Sequence, residues 1–111
     1  METILIVDDE KNYLTILSAL LEEEGYEVLT APGGAEAYDI HKTADLDLVL
    51  TDMKMPKMDG IELLEKIKAD DQDLPVIMMT AHGTVDKAVE AMQKGAYTYI
   101  LKPFDNERLI I

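Results

Sequence analysis

Five short apolar runs, each carrying β-branched residues, divide this chain: residues 3–7, 26–30, 46–51, 76–80 and 97–101. Between them the pattern changes period. Tyr13, Leu14, Leu17, Leu20 and Leu21 form one helical stripe, Ile61, Leu64 and Ile67 a second, and Val85, Ala88, Val89 and Met92 a third, while residues 35–41 form a weaker one. Short runs of this kind suit strands, and three-and-four spacing suits helices. Turn chemistry separates the two at Pro32-Gly33-Gly34, Asp59-Gly60 and His82-Gly83, and Gly25 and Gly95 stand where helices end. Strand and helix in repeated alternation call for parallel strands joined by right-handed helical crossovers, with helices on both faces. The expected class is therefore α/β, a doubly wound parallel sheet. It forms one domain over residues 1–111, with no internal linker, repeat or low-complexity segment.

In such sheets, function collects at the carboxyl ends of the strands. The first run ends in Asp8-Asp9, the third in Asp52, the fourth in Thr80-Ala81 and the fifth in Lys102-Pro103. Singly, each has a plain reading: helix cap for Asp8-Asp9, turn cap for Asp52, strand residue for Thr80, surface lysine for Lys102. Together they place three acids, a hydroxyl and an ammonium on one sheet edge. An acid at the end of a buried strand costs several kcal/mol unless its charge is compensated, so Asp52 calls for a cationic neighbour.

Composition narrows the chemistry. There is no cysteine, which removes disulfides and thiolate chemistry and fits the cytoplasm. Carboxylates without nearby histidine or cysteine make a hard oxygen site, suited to Mg²⁺ and not to zinc. The formal charge is −13, from 10 basic and 23 acidic side chains, so the domain is expected to bind neither nucleic acid nor anionic membranes. No apolar run approaches the ~20 residues of a membrane span, and the N-terminus lacks the basic lead of a signal peptide. A cation among Asp8, Asp9 and Asp52, with Lys102 opposite, would form an electrostatic clamp for a phosphoryl group. The Thr80 hydroxyl and the backbone N–H groups of Met53 and Ala81 would add donors. Asp52, between the two positive centres, is the natural nucleophile, with an acyl phosphate as product.

The stretches ILIVDDE, LVLTDMKMPKMDG, VIMMTAHG and GAYTYILKPF, with the spacing of Asp52, Thr80 and Lys102, resemble the receiver domain of bacterial two-component response regulators, the chemotaxis-regulator-like fold. TAHGTVDKAVEAMQKGAYTYILKPF looks most like the receivers of the nitrogen-regulation class of transcription activators. The resemblance implies a flavodoxin-like strand order 2-1-3-4-5. It implies that Asp52 is the phosphoacceptor and that Asp9, Asp52 and the Lys54 carbonyl bind Mg²⁺ directly, with Asp8 acting through water. It also implies a cis peptide at Lys102-Pro103, and a switch in which Thr80 moves toward the phosphoryl group and Tyr99 fills the vacated space. Tyr97, two residues from Tyr99, is expected on the same strand face and competes for that role. His82 could touch water near the phosphoryl group, His41 reads as an exposed helix residue, and Met53, Met55 and Met58 read as loop packing.

The partners implied are a sensor histidine kinase, an output module (by resemblance an ATPase with a helix-turn-helix DNA-binding domain) and a second copy of the chain. The domain is expected to act as a switch that assists its own phosphorylation and dephosphorylation, not as a conventional enzyme. The family ends with a fifth helix, of which residues 104–111 would be a truncated start, so the chain reads as a fragment. Rival readings fit less well. An aspartyl-nucleophile phosphatase needs a second acid two residues after Asp52, where Lys54 stands. An FMN carrier needs a hydroxyl-rich phosphate loop where Asp8-Asp9 would repel the ligand. A degenerate receiver, serving only as an interaction module, usually lacks one of the acids, the threonine or the lysine, and none is missing.

Overall fold

The computed structural model describes residues 2–80 and 85–102. Its elements run β1 (Thr3–Val7), α1 (Lys11–Glu23), β2 (Glu27–Ala31), α2 (Gly34–Thr43), β3 (Leu48–Asp52), α3 (Gly60–Asp70), β4 (Val76–Thr80), α4 (Val85–Gln93) and β5 (Thr98–Leu101). The strands form one parallel sheet in the order β2-β1-β3-β4-β5, the doubly wound, flavodoxin-like arrangement expected. The reversal of strand order falls between β1 and β3, which opens a crevice beyond their carboxyl ends.

Alternate residues of each strand face opposite layers. Leu5, Val7, Val49, Val76 and Met78 pack with Ala37 of α2, with Ile61, Leu64 and Ile67 of α3, and with Ala88 and Ala91 of α4. Ile4, Ile6, Leu50, Ile77 and Met79 pack on the other side with Leu17 and Leu21 of α1. Burial on both faces is why these strands read as continuous apolar runs.

Some boundaries shift from expectation, each for a hydrogen-bonding reason. α1 closes through Gly25, at φ 97°: the N–H of Gly25 donates to Glu22 O (3.0 Å) and that of Tyr26 to Leu21 O (3.2 Å). These bonds cap the helix carbonyls and take Tyr26 out of the ladder, so β2 begins one residue later. Gly95, at φ 107°, closes α4 in the same way. Asp47 Oδ2 accepts from the Thr3 N–H (2.8 Å), and β3 pairing begins just beyond it, at Leu48. α2 is longer than the weak pattern suggested. The anticipated start of a fifth helix, residues 104–111, lies outside the described residues.

Candidate functional site

Register assembles the site. Val7 pairs with Thr51, so Asp8 emerges beside Asp52; Asp52 pairs with Met79, so Thr80 lies one step beyond; Thr80 pairs with Leu101, which brings Lys102 to the same edge. The Lys102 N–H donates to Thr80 O (2.8 Å), extending the ladder past the strand end.

The β3–α3 turn fixes Asp52 from the other side. Asp59 caps α3, its carboxylate accepting from the Glu62 N–H (2.9 Å), and the Gly60 N–H donates to Met53 O (2.9 Å). A Cβ on Gly60 would lie 2.3 Å from the Asp52 carbonyl oxygen and 3.0 Å from Met53 Cα, so only glycine lets the helix approach the end of β3 this closely. Lys57, in the same turn, takes φ 70°, the left-handed region that β-carbon-bearing residues rarely adopt.

Asp8 is fully buried, Asp52 is 7% exposed and Thr80 is 1% exposed, while Asp9 is open to solvent. Lys102 Nζ lies 2.7 Å from Asp8 Oδ2 and 3.2 Å from Asp52 Oδ1. Burial pushes the Asp52 carboxyl up to about 6; Lys102 opposes this and the Asp8 charge adds to it. Burial works against the Lys102 charge, but Asp8 and Asp52 outweigh it and hold the ammonium above its ordinary range. Asp8, Asp9 and Asp52 each offer a carboxylate oxygen within 4.8 Å of the others. Among the described residues, these three acids face the Lys102 ammonium as the one cation at contact distance, leaving an excess of negative charge, and the donor set is all oxygen. That excess and that chemistry fit a hard divalent cation. Asp9, Glu10, Asp52, Met53, Lys54, Thr80 and Lys102 line a cleft of about 230 Å³ at this edge.

Asp8, Asp9, Asp52, Thr80 and Lys102 therefore come together as expected, with Lys54 exposed at the rim. The Met53 N–H donates to Met79 O (3.0 Å), extending the sheet, and also bears on the Asp52 carboxylate, favouring its charged form. One expectation is corrected. Tyr97 does not share surroundings with Tyr99. It precedes β5, so the two-residue alternation of the strand does not reach it; it is 68% exposed and borders a cleft with Ile77 and Ile100, whereas Tyr99 packs against the layer formed with α2, α3 and α4. The plain cap readings hold only in part. Asp8 Oδ1 accepts from the Glu10 N–H (2.9 Å), but α1 has no side-chain cap, and the cap of α3 is Asp59, not Asp52. Ala81, His82 and the Lys102-Pro103 peptide involve positions outside the described residues. One neighbour went unnoticed in the sequence: the Tyr13 ring, its centroid 4.1 Å from Lys102 Nζ. In sequence Tyr13 reads only as part of the α1 stripe, although it follows Asp9 by one helical turn.

The family model for the response regulator receiver domain matches residues 4–111. The chain is 46% identical over 106 residues to the transcriptional regulatory protein ZraR of Klebsiella oxytoca, covering 96% of this chain and 24% of that protein. It is 44% identical to sporulation initiation phosphotransferase F of Bacillus subtilis, covering 97% and 87% of the two chains. Among solved structures it superposes on a response regulator receiver domain protein from Clostridium thermocellum with TM-score 0.94 at 40% identity, covering 98% and 88%. It superposes equally on NtrX from Brucella abortus, TM-score 0.94 at 37% identity, covering 99% of this chain and 26% of that one. The chain spans about a quarter of the length of the transcription regulators it matches, ZraR and NtrX, whose likeness accords with the nitrogen-regulation class of receivers. By sequence and by fold, this chain belongs to the response regulator receiver domain family.

Proposed function

We propose that residues 1–111 form a phosphoacceptor domain that takes a phosphoryl group from a sensor histidine kinase onto Asp52. The observation that carries this reading is a nearly buried carboxylate held 3.2 Å from an ammonium and crowded by two further acids, at the mouth of a cleft. An Asp52 oxygen attacks phosphorus in line. The P–N bond to the donor imidazole breaks, the imidazole keeps the electron pair and takes a proton from solvent, and an aspartyl phosphate remains. Asp8, Asp9 and Asp52 would hold Mg²⁺, with the Lys54 carbonyl as a further ligand; bound there it would neutralise the carboxylates and polarise phosphoryl oxygens. Lys102 supplies a fixed positive charge to the transferring group, and the Thr80 hydroxyl a donor.

The domain is then a switch that assists its own chemistry. In the cytoplasm, it would control an output module, for which the family resemblance suggests an ATPase with a DNA-binding domain, with pairing of two copies as a further possible step. Acetyl phosphate with Mg²⁺ should add one phosphoryl group to the intact protein, read by mass spectrometry, and Asp52→Asn should remove it. Undiminished labelling of Asp52→Asn would overturn the assignment.

A further inference from the structure

Among the described residues Lys102 has three supports, two of them charged. Asp8 lies 2.7 Å away, Asp52 3.2 Å, and the Tyr13 ring centroid 4.1 Å. Ring and ammonium at that distance attract through the ring quadrupole, more strongly where water is excluded, and the Lys102 side chain is 9% exposed. We infer that Tyr13 is a positioning residue: its ring face holds the Lys102 ammonium within reach of Asp52. This rests on the phosphoacceptor reading above.

The reason lies in the imbalance of the two charged contacts. Asp8 makes the shorter one and belongs to no reacting atom, so with carboxylates alone the ammonium settles toward Asp8. A third carboxylate would hold the lysine too but would add to an acidic excess that already opposes Asp52 ionisation. An aromatic face attracts the cation without adding charge. It also excludes water from that side, which keeps the Lys102 charge effective at short range. When the Asp52 oxygen becomes part of an acyl phosphate, the ammonium must follow the charge onto the phosphoryl oxygens. An uncharged support yields to that shift more readily than a second ion pair.

Placement supports the role. Tyr13 lies in the first turn of α1, directly after the Asp8–Glu10 segment, and the Tyr13 N–H donates to Glu10 O (3.1 Å). The turn that carries the acids therefore also sets the ring. A leucine at this position would serve the α1 stripe equally well as packing, so apolar filling alone does not account for a ring over the lysine.

The test compares Tyr13→Phe, which keeps the ring, with Tyr13→Leu, which keeps apolar bulk and loses the quadrupole. Both are assayed well below their melting temperatures. With acetyl phosphate and saturating Mg²⁺, a donor that needs no kinase contact, Tyr13→Leu should be phosphorylated on Asp52 ~3- to 10-fold more slowly than wild type, and Tyr13→Phe within about twofold of it. In the metal-free protein, the Lys102 ε-methylene protons should be shifted upfield by the ring in wild type and Tyr13→Phe, and return toward ordinary lysine values in Tyr13→Leu. The NMR signal reports the contact itself, and a merely structural residue would leave the rate unchanged in the folded variant. Equal rates in wild type and Tyr13→Leu, or an unmoved Lys102 signal, would overturn the inference. If wild type takes up no phosphoryl group at all, the phosphoacceptor reading falls and this inference falls with it, a result distinguishable from equal, measurable rates.

Discussion

Replacing the proposed nucleophile should make the metal-free protein more stable. Asp52 is 7% exposed, and its carboxyl is raised from 3.8 to about 6, first by burial and then by Asp8, against the pull of Lys102. A shift of roughly two units corresponds to about 3 kcal/mol between the two protonation states. The folded state favours the protonated acid, so this contribution is fully present below the unfolded value near 3.8 and is lost as pH rises through about 6. At pH 7.5 the ionised Asp52 therefore costs the fold up to ~3 kcal/mol, a large share of the ~5–15 kcal/mol of a typical domain. Asp52→Asn keeps the shape and an oxygen acceptor, and Lys102 keeps its 2.7 Å contact with Asp8. Urea unfolding in EDTA at pH 7.5 should show the variant more stable by ~1–3 kcal/mol, and at pH 4.5 the gap should narrow. Adding Mg²⁺ should stabilise wild type in proportion to its binding and the variant far less. A variant no more stable than wild type at pH 7.5 without metal, or a gap that does not change with pH, would refute the charge-burial reasoning.

Gly60→Ala should destabilise the fold by ~3 kcal/mol or more and slow Asp52 phosphorylation, because the new Cβ meets backbone at 2.3 Å and backbone cannot yield as a side chain can; a melting curve matching wild type would contradict this. Lys57→Gly should stabilise by ~0.5–1 kcal/mol, since relief at φ 70° outweighs the added freedom of the unfolded chain, and a measured loss would mean the lysine side chain contributes something of its own. Thr80→Ala should abolish phosphorylation-dependent NMR shifts at Tyr99, which packs against the layer of α3 and α4; their persistence would exclude a threonine-led switch.

Much of this was legible from short-range pattern. Runs that bury both faces read as strands without ambiguity, and the last residues of those runs named Asp8, Asp52, Thr80 and Lys102 before any register was known. What escaped depends on long-range geometry. Nothing in Asp8-Asp9 says which acid is buried; that follows from Asp8 continuing β1 into the crevice beside β3. Asp59-Gly60 reads as a turn, but the close approach of α3 to the end of β3 makes the glycine indispensable. Period two placed Tyr97 with Tyr99, and failed at the strand's entry: the Tyr97 N–H already donates to Val76 O (2.8 Å), but the residue precedes the first paired position, Thr98, and its ring is exposed. The Met53 N–H looked free in sequence because a ladder bond to Met79 O is invisible without the register.

The same charge imbalance connects stability, metal binding and signalling. With an excess of negative charge among the described residues, the edge resists any further anion, and a phosphoryl group carries about −2 near neutral pH. Phosphorylation of Asp52, as proposed, would convert its charge into a larger one displaced outward from the strand end. Lys102 alone cannot balance that, since Asp8 already claims it at 2.7 Å. On the proposed reading a divalent cation would be needed for the product as much as for the reaction, so removing Mg²⁺ should shift the equilibrium against the acyl phosphate and not merely slow its formation. That outward displacement of charge would also give the proposed switch its direction. Once the charge leaves the strand end, Thr80, 1% exposed on the adjacent strand, is positioned to follow it, and its partner strand carries Tyr99. On this reading a conformational response would arise because the resting site is held slightly out of electrostatic balance, so that a single covalent change alters which neighbours each buried group prefers.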